Sequence, residues 1–398
     1  ISECLVGSEM CIRDRNNFTK KHFRKGVFNL SALPCDIDCI AADFSINGTF
    51  KEYTALNDGH INSTYVISFD DKGDTVKYTL QKINTGIFKN PDALMSNIVG
   101  VTSHIRSALL KAGKDADRGT LTFLKAADGK YYFRDENGDC WRVYKYIDKV
   151  YTCNIIDSAE VFENAGRAFG EFQRQLSDYP IDSLFETIPK FHDTYSRFLD
   201  FMSAVKEDRA GRAEGVRELI DFAVARESDT HVLLDLIERG SLPLRVTHND
   251  TKLNNILFDR DSNDGICIID LDTVMPGLSL YDFGDSIRFG ANTAAEDEKD
   301  VSKVSLSLPL YEAYTRGYLS SAKDSLTETE TEYMAFSSKL MTYECGIRFL
   351  GDYLNGDVYF KTDYPEQNLV RAKTQFALVA DMEKKMDEMR RITENALK

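Results

Sequence analysis

The sequence predicts an α+β fold, in which a β-rich N-terminal region precedes a mostly helical C-terminal region. Two observations predict this order. From about residue 50 to 148, runs rich in β-branched and aromatic residues are separated by short turns that contain Asp, Asn and Gly, a pattern typical of hairpins. Beyond residue 158, apolar residues recur at three- and four-residue steps through long segments, which is typical of amphipathic helices.

The N-terminal region is predicted to hold two hairpins with one helix between them. The segments are, in order, HINSTYVISF (60–69), TVKYTLQKI (75–83), the helix PDALMSNIVGVTSHIRSALLKAG (91–113), KYYFRD (130–135) and CWRVYKYI (140–147). Together with the strand-like residues from about 50, they give the order strand, strand, strand, helix, strand, strand.

The C-terminal region is predicted to be helical apart from one short β-rich interruption. SAEVFENAGRAFGEFQRQL (158–176) is a strongly amphipathic helix, and helical segments continue through 190–240 and again from about residue 300. Between them lie RVTHNDTKLNNILF (245–258) and the apolar strand GICIIDLDTVM (265–275), which ends in acidic residues.

Composition narrows the class of protein. The 398 residues are 42% hydrophobic and carry a formal net charge of −15, which argues against a nucleic-acid or anionic-membrane surface. No apolar run reaches the roughly 18–20 residues of a membrane helix. The eight cysteines form no Cys-x-x-Cys pair, which favours a reducing, cytoplasmic setting. We therefore expect no nucleic-acid or membrane partner; the oligomeric state is open, and we favour a monomer.

The stretch 245–258 places a polar cluster between two apolar runs. A surface turn would explain it, and so would a catalytic loop. An aspartate held rigidly between such runs, here Asp250, can accept the proton of an attacking hydroxyl. Lys252 could lie beside a transferred phosphate and balance its charge.

Oxygen ligands for a hard cation follow on the same stretch and on the next strand. Asn255 offers a neutral amide oxygen, a ligand type suited to Mg²⁺. Twenty residues after Asp250, IIDLD ends a strand with Asp270 and Asp272. An ordered set of base, amide and carboxylates downstream of a β-rich region is the arrangement that phosphoryl transfer uses.

These residues resemble a known family. HNDTKLNNILF and CIIDLD resemble the catalytic and metal loops of the aminoglycoside phosphotransferase-like kinases, relatives of the eukaryotic protein kinases. GHINSTYVI, YTLQKINTGIFKNPDALM, IIDLDTVMPGLSLYDFGDSIRFGAN and IRFLGDYLNGDVYFKT are similar to the N-acetylhexosamine 1-kinase branch of that family. The resemblance covers about residues 50 to 380. It implies a two-lobed protein-kinase-like fold that uses ATP and Mg²⁺ to phosphorylate the anomeric hydroxyl of a hexosamine.

The resemblance also implies roles for individual residues. Asp250 would be the catalytic base, assisted by Lys252, while Asn255 and Asp270 would hold the metal and Asp272 would be a second ligand or orient the first. Other polar residues of the same motifs are expected to be structural: His248, which would pack under the loop, and Asp282 of the sequence YDFGD, which would steady the loop although it spells the Asp-Phe-Gly of protein kinases.

The nucleotide is expected to meet the N-terminal lobe. The sequence has no Gly-x-Gly-x-x-Gly and no P-loop. The resemblance points instead to polar residues that open the first hairpin, to a basic residue of the third strand and to an inter-lobe hinge; these are Asn62, Ser63, Thr64, Lys82, Tyr146 and Ile147. Strand alternation puts Gln81 and Lys82 on opposite faces, so either could be the residue that meets the phosphates. Asn97 stands where the family's helix would place a glutamate.

The acceptor is expected to meet His60, Phe289, Arg348 and Tyr359, as the resemblance to sugar kinases implies. An arginine and a histidine could hold sugar hydroxyls or an acetamido carbonyl, and a tyrosine could stack on the ring. Two alternatives remain open: a kinase of the same fold for an aminoglycoside, choline or homoserine, and a nucleotide-binding regulator without catalysis.

The chain is expected to divide into three segments. Residues 1–15 lack the basic start and apolar core of a signal peptide, resemble translated sequencing-adapter read-through, and are expected to be a non-native leader. Residues 16–148 would form the nucleotide-binding lobe, and residues 149–398 the helical lobe with the catalytic loop, the metal site and the sugar pocket.

Overall fold

The structure is a computed structural model that describes residues 37–56, 62–154, 156 and 158–398. The expected leader and His60 lie outside these residues. In the described residues the strands are β1 (Thr49–Leu56), β2 (Ser63–Asp71), β3 (Asp74–Ile83), β4 (Phe133–Arg134), β5 (Cys140–Lys145), β6 (Val150–Tyr151), β7 (Arg245–Thr247), β8 (Ile256–Asp259), β9 (Gly265–Ile268) and β10 (Met275–Gly277).

The helices of the same residues follow the predicted distribution. They are α1 (Ile37–Ala42), α2 (Pro91–Lys111), α3 (Ala116–Gly119), α4 (Ala159–Gln175), α5 (Thr194–Glu207), α6 (Arg217–Val224), α7 (Asp229–Glu238), α8 (Ser279–Gly290), α9 (Leu308–Ala322), α10 (Glu328–Glu332), α11 (Met334–Asn355) and α12 (Gln367–Leu397). The predicted α+β class, β-rich first and helical afterwards, is confirmed.

The chain forms two compact units. Of the described residues, one unit contains 37–56, 62–91 and Thr122–Tyr146, and the other contains Asp92–Leu121 and the residues from Ile147 to Lys398. The helix α2 therefore belongs, from its second residue onward, to the helical unit, although its sequence lies between the two predicted hairpins.

The β-rich unit is built on one antiparallel sheet with the strand order β1-β2-β3-β5-β4. Both predicted hairpins are confirmed. The β2–β3 turn consists of Lys72 and Gly73, whose φ angles of 57° and 97° are those of a type I′ turn. In the β4–β5 turn, the Asp135 carboxylate accepts hydrogen bonds from the Asn137 and Asp139 amides and from the Trp141 indole.

The two faces of this sheet carry different chemistry, because side chains alternate along each strand. One face packs into an apolar core with α1; its buried members are Ile37, Ile40, Ala41, Phe44, Ile67, Phe69, Leu80, Ala126, Trp141 and Val143. The opposite face carries a polar row of paired residues, Thr64, Gln81 and Arg142. The pairing register of β3 with β2 and β5 therefore determines which of its side chains lie on the apolar face and which on the polar face.

The helical unit is held together by tightly packed helices and aromatic side chains. A Cβ on Gly166 of α4 would lie 2.3 Å from the Tyr314 carbonyl oxygen, and one on Gly317 of α9 would lie 2.0 Å from the Glu163 carbonyl oxygen. Larger side chains there would force α4 and α9 apart. The largest fully buried side chains of this unit are Phe169, Phe201, Phe258, Phe283, Tyr311, Tyr314, Tyr318, Tyr343 and Phe349.

Two small sheets in the helical unit fix the ends of the functional loops. β7 pairs with β10, and β8 pairs with β9 and β6, all antiparallel. The loop between β7 and β8 contains residues 248–255, and the loop between β9 and β10 contains residues 269–274. None of the helices in the described residues is both long and apolar enough to cross a membrane.

A buried ion pair anchors β7 to the helices. Glu330 of α10 is 1% exposed, and its two carboxylate oxygens accept hydrogen bonds from Arg245 of β7 at 2.5 and 2.7 Å. The Ser279 hydroxyl and the Thr327 amide donate to the same carboxylate. Burial alone would raise the pKa of Glu330, but these donors outweigh burial and lower it.

Arg245→Ala should lower the free energy of unfolding by about 3–5 kcal/mol, because it leaves the Glu330 carboxylate buried without its counter-charge. The difference from wild type should shrink as the pH falls below about 4. A carboxyl whose folded pKa is lowered stabilises the fold above its unfolded pKa and loses that contribution on protonation. Urea unfolding at pH 7 and at pH 3.5 measures both effects.

Arg217→Ala is the matched control for this experiment. Arg217 also pairs with a carboxylate, that of Asp221, but both side chains are exposed, so the expected change is below about 1 kcal/mol. Equal losses for the two variants would contradict the anchoring role of Arg245.

Candidate active site

The loop between β7 and β8 is fixed by one carboxylate from α8. Oδ2 of Asp282 accepts a hydrogen bond from the His248 amide at 2.9 Å, and Oδ1 accepts one from the Asn249 amide at 2.8 Å. Gln173 of α4 donates to Oδ2 as well, at 3.0 Å. Burial raises the pKa of Asp282, against the opposing effect of the hydrogen bonds from the two backbone amides. The prediction that Asp282 steadies the loop is confirmed.

The same loop is tied to the β9–β10 loop through Thr273. The Thr273 hydroxyl donates to the His248 carbonyl at 2.6 Å, and the Asn249 side-chain amide donates to the Thr273 carbonyl at 2.8 Å. Asn249 has a φ of 63°, in the left-handed region that costs free energy for residues other than glycine. These contacts hold the backbone of the residue before Asp250 in that conformation.

His248 is a structural residue, as predicted. Its Nε2 lies 2.9 Å from the Ile269 carbonyl oxygen, and its Nδ1 accepts from the Asp250 amide at 3.3 Å. The two contacts assign the neutral tautomer with the proton on Nε2. The ring packs edge-on against Phe169 and Phe172, so it lies under the loop and cannot reach a substrate.

The Asp250 carboxylate lies between a cation and an amide. Its Oδ1 is 3.1 Å from the Lys252 ammonium, and its Oδ2 is 3.2 Å from Nδ2 of Asn255. The same Nδ2 donates to the Asp250 carbonyl at 2.8 Å. Asp250 is 7% exposed. The structure therefore brings together the predicted base, the predicted phosphate-side lysine and one predicted metal ligand, in a geometry that fixes the carboxylate.

The charge on Lys252 is maintained by buried carboxylates. Burial disfavours its ammonium form, but Asp250 and Asp285 outweigh that effect and raise the pKa of Lys252. Asp285 is itself paired with Arg288 at 2.8 Å, and Arg288 contacts Glu296 at 3.0 Å. Charges of alternating sign thus continue from Asp250 through the interior of the unit.

Asn255 and Asp270 lie at neighbouring positions across the β8–β9 hairpin. The Ile269 amide donates to the Asn255 carbonyl at 2.9 Å, and Asp270 is the next residue. Asp270 has a φ of 58°, a second left-handed residue, and Asp272 is buried in the short 3₁₀ turn Leu271–Thr273. Because the Asn255 amide nitrogen is committed to Asp250, its amide oxygen is directed elsewhere.

This donor set suits Mg²⁺, which prefers a few carboxylate and amide oxygens completed by phosphate and water. The described residues contain no group of three or more His, Cys, Asp or Glu side chains that could hold a metal by themselves. A site of this kind therefore needs the amide oxygen of Asn255 and ligands from outside the protein.

Five of the six residues predicted to meet the nucleotide lie in the β-rich unit. The Asn62 side chain accepts from the Asn84 amide at 3.0 Å, and Ser63 is the exposed first residue of β2. The Thr64 hydroxyl accepts from Gln81 at 3.1 Å. The Tyr146 amide lies 3.3 Å from the Lys77 carbonyl oxygen. Of the predicted set, Ile147 is buried and belongs to the helical unit.

Lys82 and Gln81 have separate surroundings, as their alternation predicts. The Lys82 ammonium lies 2.5 Å from Asp139, on the face of the sheet that includes Trp141. Gln81 lies on the opposite face, where its side-chain oxygen accepts from Arg142 at 3.0 Å. The buried cation on the Gln81 face is therefore Arg142, which the sequence analysis did not single out.

Asn97 does not act as a counter-ion but as a backbone anchor of α2. Its Nδ2 donates to the carbonyls of Phe185 and Val274 at 2.8 and 3.0 Å, and its Oδ1 accepts from the Phe185 amide at 2.9 Å. An asparagine makes both donor and acceptor contacts here, which a glutamate carboxylate cannot do.

Two of the predicted acceptor residues are in contact. Nη2 of Arg348 donates to the Tyr359 hydroxyl at 3.1 Å. Phe289 is the single residue of α8 that is not buried. Burial raises the pKa of the Cys345 thiol to about 11, and the charges of Arg288 and Arg348 oppose that rise.

Sequence analysis missed Gln173 and the Arg288–Asp285 pair. Gln173 occupies a position four residues after Phe169 on the apolar face of α4, and a polar residue on such a face is a usable signal of a buried hydrogen bond. Asp285 and Arg288 are three apart on α8, a spacing that brings side chains together on a helix. Their link to Lys252 depends on tertiary packing, which spacing does not show.

Asp282→Asn should lower kcat about 100-fold. One carboxylate oxygen that accepts from a backbone amide becomes an NH₂ group, which faces that N–H and displaces the loop. Asp264→Asn removes a charge from the exposed β8–β9 turn and should leave kcat within about twofold, as surface changes do. Steady-state kinetics of phosphoryl transfer test the pair; an Asp282→Asn enzyme as active as the control would disprove the anchoring role.

Comparison with known proteins places this geometry in a family. The model of the APH phosphotransferase enzyme family matches residues 52–326, which is more than half of the chain. Among solved structures, an aminoglycoside phosphotransferase from Alicyclobacillus acidocaldarius subsp. acidocaldarius DSM 446 superposes with a TM-score of 0.58 at 11% identity, covering 90% of this chain and 98% of that one.

A microcompartment-associated aminopropanol kinase superposes with a TM-score of 0.52 at 15% identity, covering 88% of this chain and 97% of that one. At such identities the likeness shows a shared fold, which confirms the predicted protein-kinase-like α+β architecture. The family match covers the β-rich sheet, the Asp250 loop and the Asp270 loop alike. The chain belongs to the APH phosphotransferase enzyme family.

Proposed function

We propose that this phosphotransferase moves the γ-phosphoryl group of ATP to the anomeric hydroxyl of an N-acetylhexosamine, N-acetylglucosamine or N-acetylgalactosamine, giving the sugar 1-phosphate. The observation that carries the catalytic part is the Asp250 carboxylate, fixed between the Lys252 ammonium and the Asn255 amide. A base held in this way can accept the proton of the attacking hydroxyl.

The other loop residues have complementary roles. Lys252 offsets negative charge on the transferring group, and its own charge is secured by Asp250 and Asp285. Asn255 and Asp270 would hold Mg²⁺, with Asp272 as a further ligand or as the residue that orients Asp270. Bound there, the ion would neutralise phosphate oxygens of the nucleotide.

We further propose that residues 16–148, without Asp92–Leu121, which belong to the helical unit, form the nucleotide-binding lobe. Polar side chains at the start of β2, from Asn62 to Thr64, would approach the phosphates, and the backbone of Tyr146 and Ile147 would meet the adenine. Lys82 is paired with Asp139, whereas Gln81 and Arg142 share the opposite face. These contacts support Gln81 more than Lys82 as the third-strand residue on the phosphate side.

The contacts of Arg348 support a neutral, hydroxyl-rich acceptor. Its guanidinium donates to the Tyr359 hydroxyl, so a planar cationic group lies beside an aromatic side chain. Phe289 offers a second, partly exposed ring. Sugars are commonly held by this combination of planar donors and ring faces. His60, the fourth predicted acceptor residue, keeps its proposed role from the sequence resemblance.

The charge pattern near Arg348 argues against a cationic acceptor. An aminoglycoside or choline would need carboxylates whose charge is not already balanced. Asp285 and Glu296 are both in contact with Arg288. Glu344, one turn before Arg348 on α11, contacts His192 at 2.8 Å and accepts from the Thr194 hydroxyl at 2.6 Å. These three carboxylates therefore already have partners.

The acceptor panel is the direct test. With ATP and Mg²⁺, the enzyme should release ADP with N-acetylglucosamine or N-acetylgalactosamine at least about tenfold faster than with kanamycin, choline or homoserine, because Asp285, Glu296 and Glu344 already have partners. Phosphorus NMR should identify a 1-phosphate. A sugar 6-phosphate would refute the proposed regiochemistry, and faster turnover of an amine acceptor would refute the neutral-sugar proposal.

Asp250→Asn should lower sugar-dependent kcat about 10²–10⁴-fold with little change in the KM for ATP, because the variant removes the proton acceptor. Asp261→Asn, on the exposed turn after β8, is the matched control. If wild type shows only a sugar-independent background of ADP release, and that background is unchanged in Asp250→Asn, the proposed catalytic role of Asp250 is refuted.

A further inference from the structure

We infer that Asp352 is the positioning residue of the acceptor site, which holds Tyr359 against Arg348. This inference rests on the proposed function for its consequence in catalysis, because Arg348 and Tyr359 are there assigned to the acceptor. The anchoring itself is a property of the chain and can be measured without any substrate.

The chain reverses direction directly after α11. The helix ends at Asn355, and the next two residues, Gly356 and Asp357, have φ angles of 97° and 60°. Left-handed residues at a helix C-terminus turn the following amides back toward the helix. The segment 358–360 therefore runs past the last turns of α11.

The Asp352 carboxylate accepts hydrogen bonds from the backbone amides of the segment 358–360. Its Oδ1 accepts from Val358 at 3.0 Å and from Tyr359 at 2.8 Å, and its Oδ2 accepts from Phe360 at 2.9 Å. Asn368 of α12 donates to the same Oδ2 at 2.9 Å. Four donors on one carboxylate that is 5% exposed fix the three residues as a rigid segment.

The geometry of α11 directs this anchor toward the acceptor arginine. Asp352 lies four residues after Arg348, so both side chains project from the same face of the helix. The helix holds Arg348 directly, and Asp352 holds the backbone of Tyr359. The result is the contact of 3.1 Å between the Arg348 guanidinium and the Tyr359 hydroxyl.

Asp352 touches neither reacting groups nor, in this proposal, the sugar; it acts through Tyr359. Burial raises the pKa of Asp352, against the opposing effect of the hydrogen bonds from the three backbone amides. In Asp352→Asn the Nδ2 group would face the donors of Phe360 and Asn368, and Asp352→Ala would remove the acceptor oxygens of all four hydrogen bonds.

Asp357→Asn is the matched control. Asp357 lies in the same turn and is also a carboxylate, but its side chain accepts from Arg212 at 2.6 Å and from the Asn368 side-chain amide at 3.0 Å, whereas the amides of 358–360 donate to Asp352. Asparagine tolerates the left-handed backbone at this position. The control removes one negative charge from the turn and leaves the three backbone amide contacts of Asp352 in place.

Hydrogen exchange tests the anchor without a substrate. In the full-length protein, amides in the peptide 356–361 should exchange at least about tenfold faster in Asp352→Asn than in wild type, since hydrogen bonds to a charged acceptor are lost, and faster still in Asp352→Ala. Asp357→Asn should stay within about threefold of wild type. Unchanged exchange in Asp352→Ala would overturn the inference whatever the substrate is.

Kinetics then test the link to the acceptor. Asp352→Asn should raise the KM for the sugar about tenfold and leave the KM for ATP within about twofold, because the loss of a hydrogen-bonded position is felt by the acceptor. In a Tyr359→Phe background the same substitution should raise the sugar KM less than about threefold, since the two residues act through one contact.

The outcomes separate the two proposals. A wild-type enzyme that phosphorylates no hexosamine, with fast exchange in Asp352→Asn, defeats the proposed function and keeps the anchor. A wild-type sugar kinase in which Asp352→Asn raises the KM for ATP and for sugar equally, or acts undiminished in the Tyr359→Phe background, overturns the positioning of Tyr359 by Asp352.

Discussion

The Asp282 carboxylate is the contact on which the candidate active site depends. It accepts hydrogen bonds from the amides of His248 and Asn249 and from the side chain of Gln173, so it joins α8 and α4 to the loop before Asp250. A buried carboxylate is costly unless its oxygens are satisfied by hydrogen bonds. The cost of burying the Asp282 carboxylate is offset by hydrogen bonds to the backbone of the loop. Those hydrogen bonds fix the backbone next to Asp250 and so help to orient its side chain.

The acceptor side of the helical unit uses the same solution with a different residue. Asp352 gathers the amides of 358–360 as Asp282 gathers those of the catalytic loop. In both places the carboxylate comes from a long packed helix and the loop supplies the N–H groups. Carboxylates on packed helices thus fix the positions of the loop backbones, as the narrow geometric tolerances of a functional site require.

Much of the architecture follows from local sequence, because hairpins and amphipathic helices are local objects. The Lys72-Gly73 turn, the α4 periodicity and the polar break around Asp250 each signal their structure within a few residues. The assignment of α2 to the helical unit does not, since it depends on the contacts of Asn97 with residues about ninety and more positions away. The Asp285–Arg288 link to Lys252 and the contact of Arg142 with Gln81 are of the same kind. They arise where separate elements meet, and no spacing rule encodes them.

The turn at Lys72 and Gly73 has a consequence that reaches to the far end of its hairpin. A two-residue turn admits a single pairing of β2 with β3, and Thr64 is thereby set opposite Gln81 and Ser63 opposite Lys82. A slip of one residue would exchange the neutral amide and the ammonium between the apolar and the polar side of the sheet. The two turn residues, which lie about eight positions before Gln81, thus determine which β3 side chain stands beside Thr64, while the separate β3–β5 register sets Arg142 beside the same Gln81. The turn thus fixes the β2–β3 register, and the alternation of side chains along the strands then assigns each residue to a face of the sheet.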